Sequence, residues 1–145
     1  MHKGTDRVRA ATASDLESVL KIAKLASTST ERDSLLTLRI ESGECLVREN
    51  QSRVVGFVTL ARRSFFGRDF IELLAADPDY RRKGVGGALL RRSVNEATTS
   101  AIFVSANRSH HAMLNLLRKE RWPFSGELEG LDEGDPELVF YRSTD

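Results

Sequence analysis

Apolar positions along the chain change period several times, and each change marks an element. Residues 8–12 make a short alternating run that predicts a first strand. Ser14-Asp15-Leu16-Glu17 follows as a capping box, in which serine and glutamate each satisfy an amide at a helix start. Leu16, Val19, Leu20 and Ala23 then recur at helical spacing, so a helix is expected to about Ala26. Serines and threonines at 27–30 break it. Thr30 with Asp33 caps a second helix, which carries Leu35, Leu36 and Ile40 and stops at Gly43.

Residues 44–49 and 53–61 read as two strands, and the short polar link between them makes an antiparallel hairpin. Gly56 interrupts the second of these and marks a bulge. Phe65-Phe66-Gly67-Arg68 reads as the next turn, its paired aromatics forming a packed corner. A fourth strand carries Phe70, Ile71, Leu73 and Leu74. It ends at Asp77-Pro78-Asp79, because proline gives no amide hydrogen to a ladder and aspartates favour turns. A helical run starts at Ala88 and ends at Thr98-Thr99-Ser100, and 101–106 predict a fifth strand. A strand, helix and strand of this size imply a right-handed parallel crossover. Ser109 is the expected cap of a fourth helix with Met113, Leu116 and Leu117, closed by Trp122-Pro123. Strands at 125–131 and 137–142 complete the chain, joined by the acidic loop 132–136. The order β-α-α-β-β-β-α-β-α-β-β describes an α/β fold (an α+β mixed sheet) of about seven strands with helices on both faces. No repeat or linker divides it, so 1–145 is expected to be one domain.

Composition narrows the classes. Charged residues are 30% and apolar ones 40% of the 145, with net charge +1, so nucleic acid or an anionic membrane would need a local patch. Arg81-Arg82-Lys83 and Arg91-Arg92 are such runs, but the near-neutral total and the acidic C-terminal stretch argue against a nucleic-acid partner. The lone Cys45 allows no internal disulfide and no cysteine-rich zinc site, and its apolar surroundings make it a small core residue. Residues 1–8 have no apolar core of a signal peptide, and no run approaches the ~20 apolar residues of a membrane helix. A cytoplasmic protein without metal is the expectation.

The chemistry concentrates at 70–92. Arg81-Arg82-Lys83-Gly84-Val85-Gly86-Gly87 sits between the fourth strand and a helix. Glycines at a helix start present bare N–H groups, and the helix dipole adds partial positive charge, which suits a diphosphate. A Walker loop needs Gly-Lys-Ser/Thr where this chain has Gly86-Gly87-Ala88, and a Rossmann fingerprint needs a small residue where Leu89 stands. The remaining pattern, Arg81-x-x-Gly84-x-Gly86 after a strand and an Asp-Pro turn, resembles the acyl-CoA signature of the GNAT superfamily of N-acetyltransferases. Asn107, then Ala112 and 116–122, resemble the family's later Asn…Ala…Leu-Tyr-Glu-Lys-x-Gly-Phe segment, so the resemblance covers nearly the whole chain.

That resemblance implies acetyl-CoA as co-substrate, held where the fourth and fifth strands splay. Leu74 and Ala76 would offer backbone groups to the pantetheine. Arg81, Arg82, Lys83, Gly84, Val85, Gly86 and Gly87 would cradle the pyrophosphate, and Asn107 would face the pantetheine from the other side. Leu117 stands where the family often has a tyrosine acid, so Tyr141 or solvent would serve instead, and Arg121 replaces a family glycine. The implied activity is direct acetyl transfer to a primary amine, of a cationic small molecule or of a protein. A silent acyl-CoA sensor is the alternative, and a homodimer is compatible with either. Glu72, alternating with Leu74 and Ala76 on one strand face, is the candidate base. His110 and His111 read as exposed polar residues. The acidic residues Glu127, Glu129, Asp132, Glu133, Asp135 and Glu137 would attract a cationic acceptor.

Overall fold

The computed structural model of the chain describes residues 7–26 and 31–145. His2, the leader expectation for the first six residues, and the Ser/Thr break with its Thr30 cap lie outside the described residues. Seven strands and four helices are present among the described residues, in the expected order: β1 (Arg7–Ala10), α1 (Leu16–Ala26), α2 (Glu31–Glu41), β2 (Cys45–Asn50), β3 (Arg53–Phe65), β4 (Arg68–Ala76), α3 (Val85–Glu96), β5 (Ala101–Asn107), α4 (His111–Lys119), β6 (Phe124–Leu128) and β7 (Glu137–Ser143). The strands are hydrogen-bonded in the order β1-β2-β3-β4-β5-β7-β6. β4 and β5 are parallel, as the intervening helix requires, and the other registered pairs are antiparallel.

The chain divides into two compact units, Met1–Ala61 with Glu72–Ser93, and Arg62–Ile71 with Val94–Asp145. The division falls within β3 and β4. In the first unit, Val19, Ile22 and Ala23 of α1 and Leu36 and Ile40 of α2 bury their apolar stripes against Cys45 and Val47 of β2 and Phe57 of β3. The helix start differs from expectation. Thr12, not Ser14, is the cap: Thr12 N–H donates to Asp15 Oδ2 at 2.8 Å, and 13–15 form a 3₁₀ turn before α1. Arg9 decides this, because its guanidinium grips both Asp15 oxygens at 2.8 and 3.1 Å and turns that carboxylate back toward β1. The β2–β3 turn puts Gln51 and Ser52 at φ of 49° and 67°, the mirror-image turn whose twist matches two antiparallel strands.

In the second unit, Asp69 is fully buried yet well served. It accepts from the N–H groups of Arg63 (3.0 Å) and Thr98 (2.7 Å), from the Thr98 hydroxyl and from Arg62 Nη1, while its own N–H donates to Thr99 Oγ1. Thr98 and Thr99 thus do more than end α3: they join the α3–β5 link to the β3–β4 hairpin. At the far end, α4 closes with Arg121 at φ 62°, the left-handed conformation that glycine adopts freely. Trp122 N–H reaches Leu117 O at 3.0 Å and Arg121 N–H reaches Arg118 O at 3.0 Å, so the helix end keeps the glycine geometry without the glycine. Ser109 is not the cap of α4. His110 holds that position without a side-chain bond, and Ser109 turns to Asp135.

Asp69→Asn should cost about 3 kcal/mol, because an amide cannot accept four donors and leaves buried groups unpaired. Urea unfolding measures this. Arg9 holds the Asp15 carboxyl below its usual range. Burial opposes ionisation of Asp69, but the bonds from Thr98 and Arg63 outweigh it, and that carboxyl too lies low. A carboxyl lowered on folding stabilises above its unfolded pKa of about 4, and the gain disappears as pH falls through the folded value. Stability should therefore be level from neutral pH down to about pH 4.5 and fall below it, more shallowly in Asp69→Asn.

Candidate active site

β4 ends where Asp77 opens a turn, and that turn is fixed to β3. A bulge places Val55 as an extra residue, since consecutive Arg48 and Glu49 of β2 pair with Gly56 and Val54. The carbonyl of Val55 then accepts the N–H of Asp77 at 2.8 Å. The Asp77 side chain accepts the Asp79 N–H at 2.9 Å and pairs with Arg53 at 3.2 Å, and Pro78 starts the single turn Pro78–Tyr80. Arg82 and Gly84, at φ of 63° and 80°, reverse the chain into α3.

α3 starts at Val85, three residues before the expected Ala88. Glycine's poor helix propensity points to the later start, but packing overrides it. Val85 is buried against β3, and a Cβ built on Gly56 would stand 2.5 Å from Val85 Cγ1 and 3.1 Å from the Ala75 carbonyl. Gly56 is thus required by close approach as well as lying beside the bulge. The first bond of the helix is Ala88 N–H to Gly84 O at 3.0 Å. The N–H groups of Val85, Gly86 and Gly87 consequently have no acceptor within the helix. Two of them carry no side chain, and Arg81, Arg82 and Lys83 are exposed just ahead. These residues fit a diphosphate.

Two residues at this turn escaped the sequence reading. Tyr80 has Arg53 5.5 Å and Lys83 5.4 Å from its ring centroid, within cation–π range. The ring steadies cations on either side of the turn. Arg53 lies 27 positions away in sequence and carries no local signal. Leu74 and Ala76 are half-buried on the last part of β4. The registered β4–β5 ladder runs from Asp69↔Ile102 to Ile71↔Val104, and β4 continues five residues past it.

Glu72 is not an exposed strand residue. Arg39 of α2 clamps it, Nε to Oε1 at 2.9 Å and Nη2 to Oε2 at 3.0 Å, and Thr59 Oγ1 adds a bond to Oε1 at 3.3 Å. Arg39 also pairs with Glu44 at 3.1 Å. Leu73, the next residue, packs against the α1–α2 core, and its N–H donates to Thr59 Oγ1 at 3.1 Å. Leu73 and Ala75 pack against the same core, as the alternation of β4 requires. Cys45 lies in the same core. Burial pushes its thiol up to about 12, which leaves it unreactive.

In the second unit, Asn107 donates its side-chain amide to Asp132 Oδ2 at 3.0 Å and to the Asp135 carbonyl at 3.1 Å. Asp135 accepts from the Ser109 hydroxyl at 2.7 Å, which holds its carboxyl low, and from the Ser109 N–H at 3.0 Å. Glu127 pairs with Arg108, and Glu137 accepts from Ser105. Much of the acidic stretch therefore organises the start of α4 rather than standing open to a cation. Leu117 is fully buried and offers no proton. Tyr141 is 36% exposed beside Phe103, at a ring distance of 5.9 Å. Phe65 stacks on Phe70 at 5.1 Å and meets Phe66 edge-on at 5.0 Å, so the expected aromatic corner is formed, with Phe66 on its solvent side at 90% exposure. His110 and His111 are exposed, as expected. Among the described residues no cluster of three His, Cys, Asp or Glu side chains could hold a metal ion, and no helix is long and apolar enough to cross a membrane.

The model of the acetyltransferase (GNAT) family matches residues 13–120. A GNAT-family acetyltransferase from Bacillus cereus superposes with TM-score 0.90 at 30% identity, over 95% of this chain and 96% of that one. Salmonella typhimurium yncA, solved with its cofactor acetyl-CoA, gives TM-score 0.78 at 20% identity over 97% and 94% of the two chains. Ribosomal-protein-alanine N-acetyltransferase of Brucella melitensis gives 0.76 at 22% identity over 94% and 98%. Among curated proteins none matches.

Gly56→Ala should force Val85 aside and cost about 1–3 kcal/mol in thermal unfolding. Because Val85 opens α3, the same substitution should disturb the amide resonances of 84–87 more than those of β6 and β7. Equal disturbance at both places would show that Gly56 has no particular hold on this turn.

Proposed function

The chain belongs to the acetyltransferase (GNAT) family and is an acyltransferase that works with acetyl-CoA, and from that premise we propose that it acetylates a primary amine of a cationic small molecule or a protein. The observation that carries the site assignment is the run of three N–H groups without helix acceptors at Val85, Gly86 and Gly87. Bound there, acetyl-CoA supplies an acyl group activated as a thioester.

The chain's own residues would divide the work as follows. The amides of 85–87, with Arg81, Arg82, Lys83 and Gly84, hold the diphosphate by charge-assisted bonds. Backbone groups of Leu74 and Ala76, past the end of the β4–β5 ladder, hold the pantetheine, and Asn107 keeps its Oδ1 to accept from it. Each carboxylate oxygen of Glu72 offers about two acceptor sites. Oε1 is filled by Arg39 Nε and Thr59 Oγ1, while Oε2 carries one bond and keeps a site for water. Glu72 therefore takes the amine proton through that water, and Arg39 fixes its direction. Tyr141, partly exposed, donates to the departing thiolate in place of the buried Leu117. A thiol pKa near about 8.5 makes that thiolate a fair leaving group, so the acid assists rather than decides.

The family match spans both compact units, which supports treating 1–145 as one domain. The single buried cysteine suits a cytoplasmic setting. Buried Leu117 also suits the alternative, a silent acyl-CoA sensor.

Calorimetric titration separates these. Wild type should bind acetyl-CoA at micromolar concentration, and Gly86→Glu, which puts a carboxylate at the diphosphate, should lose that heat. Absence of binding by wild type would sink the donor-site assignment. Glu72→Gln should bind acetyl-CoA as wild type does and lower kcat by about 100-fold or more. Unchanged turnover in Glu72→Gln would remove Glu72 as base. Binding without turnover on any amine would leave the sensor.

A further inference from the structure

The second unit has an aromatic surface that nothing above uses. Strand registers set Phe70, Phe103 and Tyr141 side by side across β4, β5 and β7. Phe65 lies 5.1 Å from the Phe70 ring and 5.0 Å from Phe103. The alternating residues Ile71, Ile102 and Val104 are buried on the other face, whereas Phe65, Phe70 and Phe103 are only half-buried. One face of this strand group is core, and the other is open and apolar.

A groove of about 650 Å³ runs over the open face, between the β3–β4 hairpin and β6. Phe65, Phe66, Phe103, Leu128, Val139 and Tyr141 make its apolar lining. That volume lies within the range of small-molecule sites. Its charged lining is one guanidinium, Arg68, and one carboxylate, Glu127, joined by the hydroxyls of Ser100 and Ser125. Phe66 is out of place on local grounds. It is almost fully exposed, and it sits at φ 51° in a two-residue turn, where asparagine or glycine would be more stable. Its ring meets Phe65 edge-on at 5.0 Å, and the two rings together offer a wall to an apolar ligand.

We propose that this groove selects the acceptor by taking the ring-bearing or bulky apolar body of a primary amine. This rests on the acetyltransferase reading and narrows its substrate class. Tyr141, the candidate proton donor, lies in the groove wall. Arg108 already pairs with Glu127, and the groove's other charge is the cation Arg68, so a polycation such as a polyamine or aminoglycoside gains no attraction there, and its dense charge is poorly matched to stacked rings. A monoamine with an aromatic body is well matched, and its ammonium form can rest on a ring face. The same chemistry is offered by a free arylalkylamine and by the N-terminal residue of a peptide that begins with phenylalanine.

The test is amide chemical-shift titration of the full chain without acetyl-CoA, using phenethylamine, a phenylalanine-initiated tripeptide amide, butylamine and spermidine. Phenethylamine, the tripeptide or both should shift residues around Phe66, Phe103 and Glu127 and bind at least tenfold more tightly than butylamine. Binding of the tripeptide alone assigns the groove to polypeptide N-termini, and binding of phenethylamine to free amines. Phe66→Asn, which suits the turn and leaves the core intact, should weaken that binding at least threefold. With acetyl-CoA present it should raise the KM for the same amine by a like factor and leave kcat unchanged. No shift in the groove with either aromatic amine overturns the proposal. So does equal binding of spermidine there, or a dimer in sedimentation that Phe66→Asn converts to monomer. Because the titration needs no turnover, aromatic binding with no acetyl transfer would refute the enzyme reading and leave the groove standing.

Discussion

The close approach of α3 to β3 at Gly56 is the constraint on which the donor site depends. Val85 can open the helix only because position 56 has no Cβ, and the neighbouring bulge residue Val55 gives its carbonyl to Asp77. The start and the end of the turn between β4 and α3 are thereby set against the same two residues of β3. Everything between, including the left-handed Arg82 and Gly84, has its length and direction fixed. The proposed anion site would then be a consequence of geometry, with three helix-start amides aimed by strand packing rather than by the glycines alone.

A second pattern recurs through the molecule: carboxylates act as connectors between segments far apart in sequence. Asp15 joins the helix start to Arg9 on β1. Asp69 joins the β3–β4 hairpin to the α3–β5 link, and Asp135 joins the last loop to the start of α4. Each receives several donors, which keeps a buried or half-buried charge tolerable. Glu72 belongs to this class by its geometry, with Arg39 on both oxygens. Like Asp15 Oδ1 and the oxygens of Asp135, its Oε2 accepts a single bond. The proposed proton transfer asks for a carboxylate that is held and yet keeps a position open.

The two ends of the reaction are built differently. The donor turn uses backbone, which makes it legible as a motif and suited to a diphosphate. The acceptor side in the proposed groove uses side chains from β3, β5, β6 and β7 that share no local pattern. Phe66 illustrates the difference. In sequence it looks like half of an aromatic pair. In the fold Phe65 joins the stacked rings, and Phe66 meets its edge at the hairpin tip with most of its own ring exposed.

The sequence by itself determined the order of elements, because hydrophobic period and turn residues are local properties. It also determined the donor motif, since Arg81-x-x-Gly84-x-Gly86 carries its chemistry within six positions. Element ends moved by a few residues where distant groups intervened: Arg9 shifted the first cap to Thr12, Gly56 let α3 start at Val85, and Asp135 drew Ser109 away from the α4 cap. Arg121 shows the converse. Its side chain hides a left-handed helix end that the backbone adopts regardless, because the bonds from Arg121 to Arg118 and from Trp122 to Leu117 hold it there. Only tertiary structure disclosed the Arg39 clamp on Glu72, the Tyr80 ring between two cations and the aromatic groove. Arg39 and Glu72 lie 33 positions apart, Arg53 and Tyr80 27, and the groove reaches from Phe65 to Tyr141; no period or spacing along a chain encodes which distant side chains will meet.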